Sequence, residues 1–177
     1  MGEWAALYYS VVVTPTRRLT KADLLNIAGV AGLANARTAL ATGNLLFDGN
    51  LPQAELEILL ETVSEAQLGR RIPVFCRSRS DLRALLDDNP FDDETRENPA
   101  NVAVRIMRRM PGTEVIDRII NSVGPGEKFR ATTLGLWIAG PNGLSSSRLL
   151  SAVGGKAVGE GTFRNASSLA KITKALD

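Results

Sequence analysis

Residues 36–47 read Ala36-Arg37-Thr38-Ala39-Leu40-Ala41-Thr42-Gly43-Asn44-Leu45-Leu46-Phe47, and the fold turns on this stretch. Arg37 to Ala41 and Leu45 to Phe47 read as two strands joined at Thr42-Gly43-Asn44, where Gly43 and Asn44 tolerate the positive φ of a tight turn. On its N-terminal side, Glu3 to Val13 is rich in Val, Tyr and Trp and reads as a strand buried on both faces. A loop with Pro15, Arg17 and Arg18 follows, then Thr20 as the N-cap of a helix through Val30, with Gly32 as its stop. On the C-terminal side, Pro52 opens a helix through Gln67 with Leu56, Leu59, Leu60 and Val63 on one face and Glu55, Glu57, Glu61 and Glu65 over much of the rest. Ile72 to Cys76 is a further strand. Strand, helix, strand, strand, helix, strand is the split arrangement of a ferredoxin-like unit.

The second half repeats that order. Ser80 caps a short helix through Leu86, and Asp87 to Glu94 reads as an acidic connector broken by Pro90. Val102 to Met107 is a strand, and Thr113 caps a helix through Val123. Lys128 to Thr132 and Leu134 to Ala139 form a hairpin, Leu149, Leu150 and Val153 mark a helix, and Thr162 to Arg164 is a last strand before a helix from Asn165 to Leu176. The expected fold is therefore α+β: one ferredoxin-like subdomain over 1–78, a short helix and acidic connector over 79–100, and a second ferredoxin-like subdomain over 101–177.

Composition bounds the chemistry. Of 177 residues, 44% are hydrophobic and 23% charged, as in ordinary globular proteins, so the chain can bury a core. There is no histidine, which removes the commonest general base at neutral pH and the commonest transition-metal ligand. Cys76, the only cysteine, excludes an intrachain disulfide and fits a reducing compartment; no segment reaches membrane-spanning length, so a cytoplasmic location is expected. Residues 1–100 carry 10 Lys/Arg against 14 Asp/Glu, a balance of −4, whereas 101–177 carry 11 against 5, a balance of +6. Such a polarity suits mutual attraction of the halves, within a molecule or in a homodimer, better than nucleic acid, because neither half has a dense basic run.

Three segments together resemble the domain of unknown function 1697 family. The stretch 36–47 matches the family's Val-Arg-Thr-Tyr-Ile-x-Ser-Gly-Asn-Val-Val-Phe hairpin, Asn89-Pro90-Phe91 its central Asn-Pro-Phe, and Thr162-Phe163-Arg164-Asn165-Ala166-Ser167-Ser168 its Thr-Thr-Arg-Asn-Trp-Asn-Thr. The resemblance implies a pair of ferredoxin-like subdomains and no assigned activity. Where members carry Arg-Gly-Ile-Asn-Val-Gly-Gly after the first strand, this chain has Tyr9-Ser10-Val11-Val12-Val13-Thr14-Pro15, without the arginine, the asparagine or any glycine. A role that depends on that loop would be lost or altered here.

The best candidate site is Arg164 with Asn165, a cation and a polar cap at a helix start, where free backbone N–H groups favour an anion. An ordinary cap at Asn165, with Arg164 paired to a carboxylate, is the commoner arrangement. Ser145-Ser146-Ser147-Arg148 offers hydroxyls and a cation before another helix, though serines there are usually caps, and Arg37 is a polar strand residue. Arg105, Arg108 and Arg109 read as solvated charge because no aromatic pair accompanies them, and Cys76 as a small buried core residue. The expectation is a protein without cofactor or metal that binds a small anionic or phosphorylated ligand through Arg164, Asn165, Arg148 and Arg37. An assembly module, or an enzyme using carboxylates and arginines, are the alternatives.

Overall fold

A computed structural model of the chain describes residues 2–41 and 43–177, so Thr42 of the expected turn lies outside the described residues. The protein is built of helices and antiparallel sheets and divides into two compact units, Met1–Arg83 with Lys171–Asp177 and Ala84–Ala170. No helix among the described residues is long and apolar enough to cross a membrane.

The first unit contains β1 (Gly2–Tyr8), a small ribbon of β2 (Val12–Thr14) and β3 (Arg17–Arg18), α1 (Lys21–Val30), β4 (Ala34–Thr38), β5 (Asn44–Gly49), α2 (Gln53–Leu68) and β6 (Val74–Ser78). Its sheet has the order β4-β5-β1-β6, with Ala6 opposite Leu45 on one side and Cys76 on the other. β1 is shorter than expected. Tyr9 still donates its N–H to Pro73 O at 2.9 Å, but Ser10 Oγ then accepts the Val12 N–H at 3.0 Å and turns the chain into the ribbon. β4 lies three residues nearer the N-terminus than expected: Asn35 (φ 51) accompanies a shift of register between Ala34 and Arg37, and Leu40 (φ 61) lies in left-handed backbone beyond its end. Thr20 and Asp23 cap α1 reciprocally, with Asp23 N–H on Thr20 Oγ1 at 3.1 Å and Thr20 N–H on Asp23 Oδ2 at 2.9 Å. Leu24, Ile27, Leu45, Phe47, Leu56 and Leu60 close the core between helices and sheet.

α3 (Arg79–Asp87) leads towards the second unit. The expected acidic connector folds in part as α4 (Asp92–Glu97). Its three acids in the first turn complement the positive end of the helix, and Asn89 Oδ1 accepts the Phe91 N–H at 3.0 Å just before it. Then come β7 (Val102–Met107), α5 (Thr113–Ile120), β8 (Lys128–Ala131), β9 (Leu136–Ala139), α6 (Arg148–Gly154), β10 (Gly161–Asn165) and α7 (Ala166–Lys174). The sheet order is β10-β7-β9-β8, all neighbours antiparallel. Ala103, Ile119, Leu136, Ile138, Leu149 and Val153 form the core on one face. Gly161 serves close packing: a Cβ there would stand 2.5 Å from Met107 Sδ and 3.0 Å from Ile106 O.

Candidate functional site

Two connections of the second unit face each other across a cleft of about 510 Å³. One wall is 121–127. α5 closes at Asn121, Ser122 Oγ donates to Ile119 O at 2.7 Å, and Gly124-Pro125-Gly126, with Gly126 at φ 75, turns the chain towards β8. The other wall runs from Gly140 to Arg148. The Gly143 N–H reaches back to Gly140 O at 3.1 Å, and Gly143 adopts φ 92, which a Cβ would strain. Ser146 Oγ then donates to Gly143 O at 3.1 Å, and Ser147 Oγ caps α6 by accepting the Leu150 N–H at 3.3 Å.

Glu127 ties the walls together. It accepts the Ser147 hydroxyl from the opposite wall and the Gly124 N–H, at 2.9 Å, from its own. The Ser147 bond above all, with lesser help from the Gly124 and Leu149 N–H groups and the Arg148 charge, holds its carboxyl below the usual carboxylate range against the opposing effect of burial. Glu127 is therefore ionised at neutral pH and bonded to both walls. Arg148 is different: its side chain is exposed at the cleft and makes no hydrogen bond or ion pair among the described residues. Asn121, Ser122 and Asn142 add exposed amides and a hydroxyl. A smaller cleft of about 280 Å³ shares Gly140 and Pro141 with the first, and Lys128 at its edge is ion-paired with Glu94.

The four residues singled out in the sequence fall in three places. Arg148 lines the large cleft. Arg164 and Asn165 lie on β10, and neither lines that cleft. Arg164 is partly buried, donating to Thr162 Oγ1 at 3.0 Å and Phe163 O at 2.7 Å, and loss of solvent around its guanidinium pushes the pKa down to about 10. Asn165 Oδ1 accepts the Ser168 N–H at 2.8 Å, the bond of a helix cap. Arg37 belongs to the first unit, where it donates to Ala175 O at 2.8 Å and lies 3.9 Å from Glu3. Arg105, expected as solvated charge, is instead buried: it donates to Gly159 O at 2.7 Å and to Val153 O, and stands 5.8 Å over the Phe163 ring. Its neighbours on β7 are apolar, and the carbonyls of Val153 and Gly159 help to make an arginine tolerable there. Glu127, Asn121 and Asn142 were not singled out in the sequence; the available signal was a Gly-Pro pair in each wall, Gly124-Pro125 and Gly140-Pro141.

A family model described as "Protein of unknown function (DUF1697)" matches residues 1–137, which takes in the Glu127 wall of the cleft and stops short of Gly140 to Arg148. The solved structure of a conserved bacterial protein from Streptococcus pneumoniae is similar over 99% of both chains, with a TM-score of 0.77. Its sequence identity is 19%, so the likeness is one of fold. No curated protein matches the sequence.

Proposed function

This chain belongs to the DUF1697 family, and from that premise we propose that it is a cytoplasmic binding protein whose second unit takes a small anionic ligand on Arg148. One observation carries the reading: among the described residues the guanidinium of Arg148 has no hydrogen bond or ion pair, and it stands beside a cleft of small-ligand size, about 510 Å³. A guanidinium offers a planar fork of donors that suits carboxylate or phosphate. Binding without turnover is preferred because the hydroxyl nearest the cleft's carboxylate, Ser147, is occupied as a helix cap, and the chain has no histidine to act as base. Both units are read as ferredoxin-like subdomains. In chain order the strands of the first sheet are β1, β4, β5 and β6 and stand second-third-first-fourth; those of the second are β7, β8, β9 and β10 and stand fourth-first-third-second, the same order from the other edge.

Arg148→Ala should lower the affinity for phosphate or carboxylate ligands by roughly tenfold or more, the loss of a charge-assisted hydrogen bond, while leaving the melting temperature unchanged. Titration calorimetry of both proteins measures this, and equal affinities would remove Arg148 from the site.

A second reading, an assembly surface, is favoured by the first unit. Tyr9, Val12 and Leu40 are exposed, and Arg70 donates to Val12 O and Val13 O at 3.2 Å each, beside Arg71. Sedimentation at low and high salt decides it: a salt-sensitive homodimer supports self-association, and a strict monomer at high concentration dismisses it.

A further inference from the structure

We propose that the ligand of the large cleft is a small polyhydroxylated molecule carrying a single anionic group, of the sugar-acid or sugar-monophosphate kind, and not a nucleotide. This rests on the reading that Arg148 receives an anion, and it concerns the body that the anion is attached to.

Among the described residues, none of those that line the cleft is aromatic. A nucleobase bound there would find no ring to stack on, and stacking supplies about 1–3 kcal/mol per base where proteins use it. Apolar side chains are limited to Val123, Pro125 and Pro141, whereas clefts that hold drug-like or aromatic ligands are lined mainly by hydrophobic groups. What the walls offer instead is Asn121 and Asn142, amides that each present donors and an acceptor, and Ser122 and Ser146, whose hydroxyls donate to the backbone and leave their oxygens as acceptors. Neighbouring hydroxyls on a sugar chain present the same pairing in return.

Glu127 sets the number of anionic groups. A carboxylate has about four acceptor positions. Two are taken, by the Ser147 hydroxyl and by the Gly124 N–H group. The remaining positions can accept ligand hydroxyls but repel a second phosphate or carboxylate. Because Glu127 is held in its charged form and Arg148 sits on the facing wall, the cleft has one cationic and one anionic side and no net attraction for a polyanion. One anionic end at Arg148 with a neutral, hydroxyl-bearing body towards Glu127 satisfies both.

Calorimetry on the full chain tests this with matched probes: inorganic phosphate against glucose phosphate, acetate against gluconate, and AMP and uncharged glucose alongside. At least one sugar anion is expected to bind roughly tenfold tighter than its hydroxyl-free partner, the effect of one or two net hydrogen bonds. Whether that is glucose phosphate or gluconate separates the two sources of the anion. The gain should fall in Asn142→Ala or Asn121→Ala, with unchanged melting temperature, while Arg148→Ala weakens the sugar anion and its simple partner alike. Equal affinity of each matched pair, or AMP as the tightest probe, overturns the sugar class and leaves the Arg148 reading standing. Failure of every anion to bind, or binding untouched by Arg148→Ala, overturns both.

Discussion

Tyr8 shows how a single buried residue sets a pH limit. Its hydroxyl lies 3.1 Å from Ser64 Oγ in the core, and burial above all raises its pKa, partly offset by the Ser64 bond. In the unfolded chain a tyrosine ionises near pH 10. The folded state keeps its proton longer, so the stabilisation is complete below that pH and is lost as the pH rises above it. Urea unfolding followed from neutral pH to about pH 11 should show an alkaline loss that is smaller in Tyr8→Phe, at a cost near neutrality of about 1 kcal/mol for leaving Ser64 unpaired. Identical alkaline profiles would show that Tyr8 is not responsible. Asn165→Ala provides a contrast: as a cap it should lower stability by about 1 kcal/mol and leave affinity in the Arg148 cleft untouched, and a loss of affinity would return Asn165 to the site. The sequence displayed these residues unevenly. Arg148 was legible as a cation among serines before a helix, but so was Arg164, and composition could not tell that one is exposed and the other is bonded into its own strand. Glu127 looked like any charge beside a turn, because its donor on the opposite wall, Ser147, is twenty residues away.

Among the elements, α2 and β6 interact in a way that helical periodicity hides. Glu57 and Glu61 looked like part of a solvated face, yet both are buried. Their carboxylates accept the N–H groups of the edge strand β6, Cys76 on Glu57 Oε1 and Val74 on Glu61 Oε1, each at 3.0 Å. The spacings fit: four residues along a helix rise about 6 Å, and two along a strand about 6.6 Å. Arg77 lies 3.4 Å from Glu57 and Arg71 2.9 Å from Glu61, so each buried carboxylate has a cation beside it. The arrangement occupies the outward N–H groups of a strand that would otherwise present them to another chain. Glu57→Ala and Glu61→Ala should each destabilise by about 1–3 kcal/mol, and the double variant should self-associate at concentrations where the parent does not. Denaturant melts and sedimentation measure the two effects; a double variant of parental stability would mean that water replaces both carboxylates without loss. The helices and strands themselves were legible, since apolar spacing and caps such as Thr20 are local signals. Their ends were less so: β1 stops at Tyr8 because of Ser10, and α4 forms where proline and acids suggested a connector.

For the molecule as a whole, the last few residues matter more than their position suggests. Lys171–Asp177 belong to the first unit although they follow the second in sequence, and contacts remote in the chain record it: Arg37 donates to Ala175 O at 2.8 Å, and Arg83 is paired with Asp177. No local pattern encodes such a return, so element order alone leaves it unread. The segment is also apolar where it is covered. Ile172 and Leu176 are fully buried, and each such side chain contributes about 1.5–3 kcal/mol by leaving water. A chain ending at Ala170 should therefore lose about 3–6 kcal/mol, enough to unfold many domains whose whole stability is 5–15 kcal/mol. Ile172→Ala separates burial from mere shortening: its cost should be about 2–5 kcal/mol, since a cavity is left behind. Asp177→Asn, which weakens surface pairs with Arg83 and, at 4.0 Å, with Arg79, should change stability by less than about 1 kcal/mol. Urea unfolding monitored by circular dichroism ranks the three. The order expected is truncation, then Ile172→Ala, then Asp177→Asn; a truncated chain as stable as the full one would mean that the C-terminal residues cover the first unit without holding it together.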